Sequence, residues 1–313
     1  MSAAARVAFA GTPQFAVPTL EALVATGAAV DLVLTQPDRP AGRGRQLAAS
    51  PVKLAAAEHG LRIAQPETLK NPAALDDLGS APDLLVVVAY GLLLPLQMLA
   101  WPRLGCVNLH ASLLPRWRGA APIQHALLAR DPTTGVSLMR IERGLDTGAV
   151  YCSRATPIGA RETAGELHDR LASLAAEILV DALPELLAGK LSPIPQQDAL
   201  ATHAPKITKQ DAVVDWRRGA LELDARVRAF DPWPVAETRL DDGTRLRVWR
   251  AEPLDAATVA RPGTVVRAGA AGIDVATGDG VLRLTQVQPP GGRVMPASAY
   301  LAAHPLDGAA FVS

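Results

Sequence analysis

Apolar runs of strand length alternate with segments of helical periodicity in the part of the chain before residue 190. The helical pattern is clearest between Thr163 and Leu187, where leucine and isoleucine recur every three or four residues. The runs of strand character are 6–11, 29–35, 61–63, 83–89, 104–109, 135–141 and 149–155. Strands that alternate with helices favour parallel pairing with right-handed crossover connections. This part of the chain therefore predicts an α/β fold with a Rossmann-like parallel sheet.

The pattern changes after residues 190–205, which contain three prolines and show no clear periodicity. Such a stretch is typical of a linker. Beyond it, a helix-like segment at 220–229 precedes short strand-like runs separated by turns such as Asp241-Asp242-Gly243. These runs are 235–240, 244–251, 263–268, 272–276 and 281–287. We therefore expect an α/β domain at 1–189, a linker at 190–205, and a small β-barrel domain at 206–313.

Polar side chains follow two of the predicted strands in the first domain. Asn108 and His110 project to the same side of an extended chain, because side chains alternate between faces. Asp146 follows the next strand-like run, and its carboxylate can reach the imidazole if strands 105–110 and 135–141 are neighbours. A single polar residue at a strand end is more often structural than functional. The three together supply an amide donor, an imidazole and an orienting acid, the groups required for acyl transfer through a tetrahedral intermediate.

Composition and charge limit the classes of partner. The chain has 313 residues, of which 49% are hydrophobic and 20% charged, and its formal net charge is zero. This composition is typical of a folded globular protein. Because there is no global excess of basic residues, any nucleic-acid partner must bind through local patches.

Several common cofactors and compartments are disfavoured. The turn at Gly11 lacks the further glycines of a dinucleotide fingerprint, which disfavours NAD, and the scattered histidines predict no metal site. Cys106 and Cys152 lie in strand-like apolar runs and predict reduced, buried thiols in a cytoplasmic protein, with a nucleophilic Cys106 as the weaker alternative. The uncharged run 84–101 is as long as a membrane span, but Gly91 and Pro95 interrupt it. We expect a strand, a loop and a short helix there, and neither a signal peptide nor membrane association.

The residues around the candidate site resemble the signature of the folate-dependent formyltransferases. The resemblance is carried by Asn108-Leu109-His110-Ala111-Ser112-Leu113-Leu114-Pro115, Arg118-Gly119-Ala120-Ala121-Pro122-Ile123 and Asp146-Thr147-Gly148. It extends over essentially the whole chain, including Pro205-Lys206-Ile207-Thr208-Lys209 and Phe230-Asp231-Pro232-Trp233-Pro234. The resemblance implies a Rossmann-like formyltransferase domain followed by an OB-like domain. It also implies that 10-formyltetrahydrofolate is the co-substrate, without a metal.

The resemblance further implies which residues contact the substrates. Folate contacts are expected from Ser112, Leu113, Leu114 and Pro115, and Tyr90 either flanks the pterin ring or is a core tyrosine. In the tRNA-formylating branch of the family, the acceptor is the α-amino group of methionine on initiator methionyl-tRNA. Contacts with that tRNA are expected from six basic residues, namely Arg39, Arg43, Arg45, Lys206, Arg245 and Arg247. A solvated surface loop at 36–46 and a solvated barrel face are the structural alternatives.

Other functions remain open from the residues alone. A formyltransferase for an amino sugar nucleotide or another small amine would share Asn108, His110 and Asp146. The arginine-containing loop and the C-terminal match argue against it. A Rossmann-plus-OB RNA-binding module without catalysis is the alternative from another class. We expect a monomer, and the sequence does not decide whether His110 acts as an acid, a base or an oxyanion donor.

Overall fold

A computed structural model describes residues 5–41, 46–71, 78–306 and 308–312. The chain divides into two compact units, within each of which residues lie close together in space. Unit 1 contains Met1–Pro122, Thr133–Pro157 and His168–Ala204, and unit 2 contains Ile123–Pro132, Ile158–Leu167 and Pro205–Ser313. The domain boundaries given above stay a prediction.

Unit 1 is built on a seven-stranded sheet. Its strands, together with those of two smaller sheets, are β1 (Arg6–Gly11), β2 (Ala29–Leu34), β3 (Arg39–Ala41), β4 (Gln46–Ala48), β5 (Ile63–Ala64), β6 (Leu84–Val88), β7 (Cys106–His110), β8 (Arg118–Gly119), β9 (Thr133–Arg140), β10 (Val150–Pro157) and β11 (His203–Ala204). The strand order in the seven-stranded sheet is β10-β9-β7-β6-β1-β2-β5. The neighbouring strands β7, β6, β1, β2 and β5 pair in parallel. β9 is antiparallel to both of its neighbours, β7 and β10. The predicted Rossmann-like sheet is confirmed, with an antiparallel edge.

Helices alternate with the strands before residue 190, as the sequence pattern predicts. Their bounds are Val17–Ala25, Pro51–Glu58, Leu96–Leu99, Pro122–Leu128 and Ala164–Leu187. The Ser50 hydroxyl accepts a hydrogen bond of 3.0 Å from the Lys53 backbone N–H and so caps the helix Pro51–Glu58. Thr163 and Glu166 cap the longest helix reciprocally, since each side chain accepts from the backbone N–H of the other residue.

Some local expectations require correction. The predicted loop at 36–46 contains β3 and the start of β4, which pair antiparallel. The predicted linker includes β11, which pairs in parallel with β8. Cys152 is exposed rather than buried, because β10 is an edge strand with a sheet partner on one side only. The sequence also predicts a brief helix at 71–78, and most of it, residues 72–77, lies outside the described residues.

Unit 2 contains an antiparallel sheet curled into a half-barrel, which confirms the predicted OB-like class of domain. Its helices are Ala220–Ala229 and Ala297–Ala303, and its strands are β12 (Ala236–Leu240), β13 (Arg245–Leu254), β14 (Val265–Gly269), β15 (Gly272–Ala276), β16 (Val281–Gln288), β17 (Met295–Pro296) and β18 (Phe311–Val312). The order is β14-β15-β16-β13-β12-β18. Large buried side chains such as Trp216, Leu246 and Ile273 form its core.

The uncharged run at 84–101 forms β6 and the short helix Leu96–Leu99, as expected. β6 is buried along its whole length, as is normal for a central parallel strand. Within the described ranges, no helix has both the length and the apolar character that a bilayer span requires.

Candidate active site

Two neighbouring strands bring the candidate residues together. β7 pairs with β9, with His110 opposite Ser137 and Asn108 opposite Met139. The hypothesis that strands 105–110 and 135–141 are neighbours is therefore confirmed. Asn108 and His110 lie two residues apart on β7, and Asp146 lies on the loop that leaves β9.

His110 is held by two groups from different loops. Its Nε2 lies 2.8 Å from the Trp117 carbonyl oxygen, and its Nδ1 lies 3.8 Å from Asp146 Oδ2. Because a carbonyl oxygen only accepts, Nε2 carries a proton in this arrangement. Nδ1 is then the ring nitrogen that faces the carboxylate. The imidazole is 7% exposed and the Asp146 side chain 14% exposed, so both are largely removed from water and interact more strongly than surface groups would.

Asp146 is fixed by unusual backbone geometry. Its φ is +53°, in the left-handed region that few non-glycine residues occupy. Its Oδ2 accepts a 2.9 Å hydrogen bond from the Gly119 N–H, which ties the carboxylate to β8. Gly148 follows two residues later in the chain, and a Cβ at this residue would stand 2.0 Å from the Arg140 carbonyl oxygen. This loop therefore needs glycine at 148 to return to the sheet.

The Asn108 carboxamide makes no hydrogen bond to any part of the chain that the structure describes, and the residue is half-buried. Asn and Gln amides inside a protein normally find partners, because an unpaired polar group costs free energy when it is removed from water. An amide in this state is suited to a ligand that supplies the missing partner.

The loop after β7 is clamped to β9. The Ser137 hydroxyl accepts from the Leu114 N–H at 3.1 Å and donates to the Ser112 carbonyl oxygen at 2.7 Å. The Ser112 side chain is fully buried, and its hydroxyl donates to the Arg116 carbonyl oxygen at 2.6 Å. Leu113 and Leu114 are half-buried and retain accessible apolar surface. Apolar side chains beside an amide that has no partner in the described chain suit a ligand with apolar rings and polar edges.

Tyr90 lies directly beyond β6 in an apolar cluster. Its side chain is 2% exposed, its hydroxyl has no partner among the described residues, and burial raises the pKa of the phenol to about 12. Its carbonyl oxygen accepts from the Thr12 hydroxyl and the Gln36 amide, at 2.9 and 3.1 Å. Contacts of Tyr90 and of Ser112 to Pro115 with folate stay predictions.

Reasoning from the sequence missed two residues that hold the Asp146 loop. Gln196 donates to the carbonyl oxygens of Asp146 and Gly148, and accepts from the Arg118 guanidinium. Arg118 lies within the family-like motif, but its side chain is 6% exposed and points to this network rather than to solvent. Gln196 lies in the predicted linker, where neither periodicity nor a motif distinguishes it.

The predicted tRNA-binding residues lie at different places. Arg39 is exposed, with a 2.5 Å hydrogen bond to the Gln36 side chain, and Lys206 is exposed in unit 2. On β13, Arg245 and Arg247 are exposed whereas Leu246 and Val248 are buried, so the arginines share one face as expected. Both arginines lie just under 4 Å from Glu237. The two other predicted residues, Arg43 and Arg45, lie outside the described residues.

Burial bears on the alternative of a nucleophilic cysteine. Burial raises the pKa of the Cys106 thiol to about 12, which keeps it protonated and poorly nucleophilic near neutral pH. In the described part of the chain, no three His, Cys, Asp or Glu side chains are grouped so that they could hold a metal ion.

Comparisons with known proteins identify the family. A family model described as formyl transferase matches residues 5–183, and a second one, described as formyl transferase, C-terminal domain, matches residues 206–305. The chain belongs to the formyl transferase family. It is 56% identical over 304 residues to the methionyl-tRNA formyltransferase of Methylococcus capsulatus, covering 97% of this chain and 98% of that protein. It is 53% identical over 298 residues to the enzyme of the same name from Halorhodospira halophila, covering 95% and 96%.

Solved formyltransferase structures share the fold. One is the N-formyltransferase from Helicobacter canadensis in complex with folinic acid and dTDP-3-aminofucose, which matches with a TM-score of 0.67 and 15% identity. The match covers 90% of this chain and 98% of that chain. At this identity the similarity shows the fold alone. The sheet described above therefore has the fold of a formyltransferase.

Proposed function

We propose that this chain transfers the formyl group of 10-formyltetrahydrofolate to the α-amino group of methionine on initiator methionyl-tRNA. Nearly full-length identity above 50% to proteins named methionyl-tRNA formyltransferase is the observation that carries this proposal. The site geometry supports it, because β7 carries His110 and an amide without a partner among the described residues, and the loop that leaves β9 brings Asp146 to within 3.8 Å of the imidazole. The likeness to an amino-sugar formyltransferase lies at the level of the fold only.

Asn108 stabilises charge in this proposal. Attack of a neutral amine on a formyl carbon places negative charge on the formyl oxygen, which requires a preorganised hydrogen-bond donor. The Asn108 amide is half-buried and has no partner within the described chain, so it is free to donate. Removal of one such donor typically costs about 10²–10³-fold in rate.

His110 and Asp146 handle the proton. The Trp117 carbonyl occupies Nε2, so Nδ1 is the nitrogen that receives the proton released by the attacking amine. The Asp146 carboxylate, 3.8 Å away, stabilises the imidazolium that results. The imidazolium then returns this proton to N10 of the folate as the bond between N10 and the formyl carbon breaks, which releases tetrahydrofolate and leaves the formyl group on the amine. The α-amine of an aminoacyl ester has only a modest pKa, so a substantial fraction is unprotonated near neutral pH and a strong base is not required.

The formyl-folate supplies the formyl group, and residues of the loop after β7 hold it. Leu113, Leu114 and Pro115 contribute accessible apolar surface, and Ser112 keeps the loop in shape through its buried hydroxyl. Tyr90, just beyond β6, is the further residue expected to contact the folate, and because its side chain is 2% exposed, that contact requires the side chain to become accessible when the folate binds.

The tRNA is bound by basic residues of both units. Arg245, Arg247 and Lys206 are exposed in unit 2, and the segment from Arg39 to Arg45 contributes three arginines from unit 1. In this proposal, residues 1–189 form the catalytic domain, 190–205 connect it, and 206–313 bind tRNA. The enzyme acts in the cytoplasm as a monomer. Light scattering, which measures the molar mass in solution, would test the monomeric state directly.

An assay that compares two formyl acceptors tests the function. The protein is incubated with 10-formyltetrahydrofolate labelled in the formyl group and either methionylated initiator tRNA or an amino sugar nucleotide. We expect label in the tRNA, and at least about a 10²-fold loss in the Asn108→Ala variant. Label in the sugar nucleotide alone, or tRNA binding without any transfer, would overturn the proposal.

A further inference from the structure

Residues 194–204 belong to the segment predicted to be a linker, and they lie along the site. We name them the strap. At one end, Ile194 forms an antiparallel bridge with Val150, the first residue of β10. At the other end, β11 pairs with β8 in parallel. Between these ends, the Thr202 hydroxyl accepts from the Trp117 N–H at 2.9 Å, and the Thr202 carbonyl oxygen accepts from the Arg118 N–H at 2.9 Å. The strap therefore contacts both loops that supply the partners of His110.

Gln196 is the strap residue that reaches the Asp146 loop. Its Nε2 donates to the carbonyl oxygens of Asp146 and Gly148, at 2.9 and 2.7 Å. Its Oε1 accepts from Nε and Nη2 of Arg118, at 3.0 and 2.8 Å. A carboxamide has two donor hydrogens and two acceptor lone pairs, so its full capacity is used. Gln196 thus has a single orientation that satisfies all its partners.

Arg118 anchors Gln196 from the opposite side of the amide. The Arg118 side chain is 6% exposed, and it also forms an ion pair with Asp198, at 2.7 Å. Asp198 is 83% exposed, so that pair is weakened by solvent. The planar guanidinium, fixed by burial, presents two parallel N–H groups to the Gln196 oxygen. This geometry fixes the amide plane and directs its N–H groups at the Asp146 loop.

The Asp146 loop gains little support from burial. The neighbouring Leu145 is 62% exposed, so apolar packing does not hold the loop at this residue. Asp146 itself has a φ of +53°, which costs free energy unless its surroundings enforce it. Its carboxylate stands 3.8 Å from His110 Nδ1, just beyond hydrogen-bond distance. A small displacement of the loop would therefore change the charge that the imidazole experiences.

We propose that Gln196 is a positioning residue for formyl transfer: by holding the backbone of residues 146–148 it keeps the Asp146 carboxylate against His110. The strap is thus part of the catalytic unit and not merely a connection to the C-terminal residues. This inference rests on the proposed roles of His110 and Asp146. It does not require Gln196 to touch either substrate.

The Gln196→Glu variant removes the hydrogen-bond donors of this side chain and keeps its acceptor. Glutamate still accepts from Arg118, so the anchor and the fold are preserved, but it cannot donate to the Asp146 and Gly148 carbonyl oxygens. We expect kcat to fall by about 10- to 100-fold, because a displacement of about 1 Å near the reacting atoms costs up to about 10²-fold. KM for 10-formyltetrahydrofolate and for tRNA should change by less than about threefold.

Gln197→Glu is the matched control. It introduces the same charge one residue away, on an exposed side chain that makes no capping hydrogen bond. Its kcat should stay within about twofold of that of the unchanged protein. If Gln196→Glu lowers the thermal midpoint by more than the control does, Gln196→Met, which keeps the length and removes the donors, gives the second measurement. The same loss of kcat is expected from it.

A double-variant comparison distinguishes positioning from general destabilisation. If Gln196 acts through Asp146, adding Gln196→Glu to Asp146→Asn should lower kcat by less than about twofold more, because the two changes then affect one interaction. Undiminished turnover in Gln196→Glu, or losses that multiply in the double variant, would overturn the inference alone. Undiminished turnover in Asp146→Asn would overturn the proposed role of Asp146 and this inference with it.

Discussion

Gly119 offers a sharp test of how closely the loops around His110 must fit. Its φ is +123°, and a Cβ at this residue would stand 2.7 Å from the Ala204 carbonyl oxygen and 3.2 Å from its carbon. Its N–H donates to Asp146 Oδ2 at 2.9 Å. Glycine is required here for two reasons, the backbone conformation and the close approach of β11. Gly119→Ala therefore perturbs the support of Asp146 without removing a side chain from the site.

The size of the effect follows from these distances. Ordinary van der Waals contact for a Cβ begins at 3.4 Å, so the new methyl group is about 0.7 Å too close to backbone that cannot rotate away. Strain at a non-glycine residue in such a conformation costs on the order of 1–3 kcal/mol. If β8 moves by this amount, the Gly119 N–H moves away from the Asp146 carboxylate. We expect about a 10²-fold loss of kcat, since a misplacement of about 1 Å costs that much.

The assay is formylation of methionylated initiator tRNA, with thermal unfolding measured in parallel. Gly189→Ala is the control, because Gly189 also has a positive φ, +67°, but no heavy atom lies within 4 Å of the place that its new methyl group would occupy. It should lose stability by about 1 kcal/mol and keep its turnover. If Gly119→Ala keeps a kcat within about twofold of that of Gly189→Ala, the required close fit of β8 and β11 is refuted.

Three further outcomes are expected. Ser137→Ala removes the clamp on the loop after β7, so KM for 10-formyltetrahydrofolate should rise by about 10-fold, and an unchanged KM would contradict the clamp. Arg245→Ala with Arg247→Ala should weaken tRNA binding and flatten its salt dependence by roughly 0.7–0.9 for each phosphate that is no longer neutralised, whereas an unchanged slope would remove these residues from the interface. The Cys106 thiol, with a pKa raised to about 12 by burial, is neutral below that pH, so iodoacetamide at about pH 8 should leave it unmodified in the folded protein. Its alkylation without unfolding, read by mass spectrometry, would contradict that burial.

Much of the fold is encoded in local patterns and is therefore predictable from the sequence. The strands β15 and β16 and the helices Ala164–Leu187 and Ala220–Ala229 lie within a residue or so of the predicted bounds. Alternation of polar and apolar residues places Arg245 and Arg247 on one face, because side chains in a strand point to opposite sides. The pairing of β7 with β9 can be proposed because polar residues follow both strands.

Other features depend on contacts between distant residues that no local pattern encodes. Gln196 and Arg118 are 78 residues apart in sequence, and their hydrogen bonds do not require periodicity. The strap lacks the apolar repeat that identifies strands, so the sequence predicts only a linker at 190–205. The exposure of Cys152 depends on β10 being the edge strand, which follows from the order of the sheet and not from β10 itself.

The central claim is that Asn108, His110 and Asp146 act together on one formyl carbon. The most direct test is the single-turnover rate of formyl transfer to methionylated initiator tRNA, measured for each single alanine variant and for the triple variant. Groups that act as a unit should be strongly non-additive, so each single variant should lose at least about 10²-fold, and the triple variant only slightly more than the most impaired single variant. A folded triple variant with undiminished transfer would contradict the account.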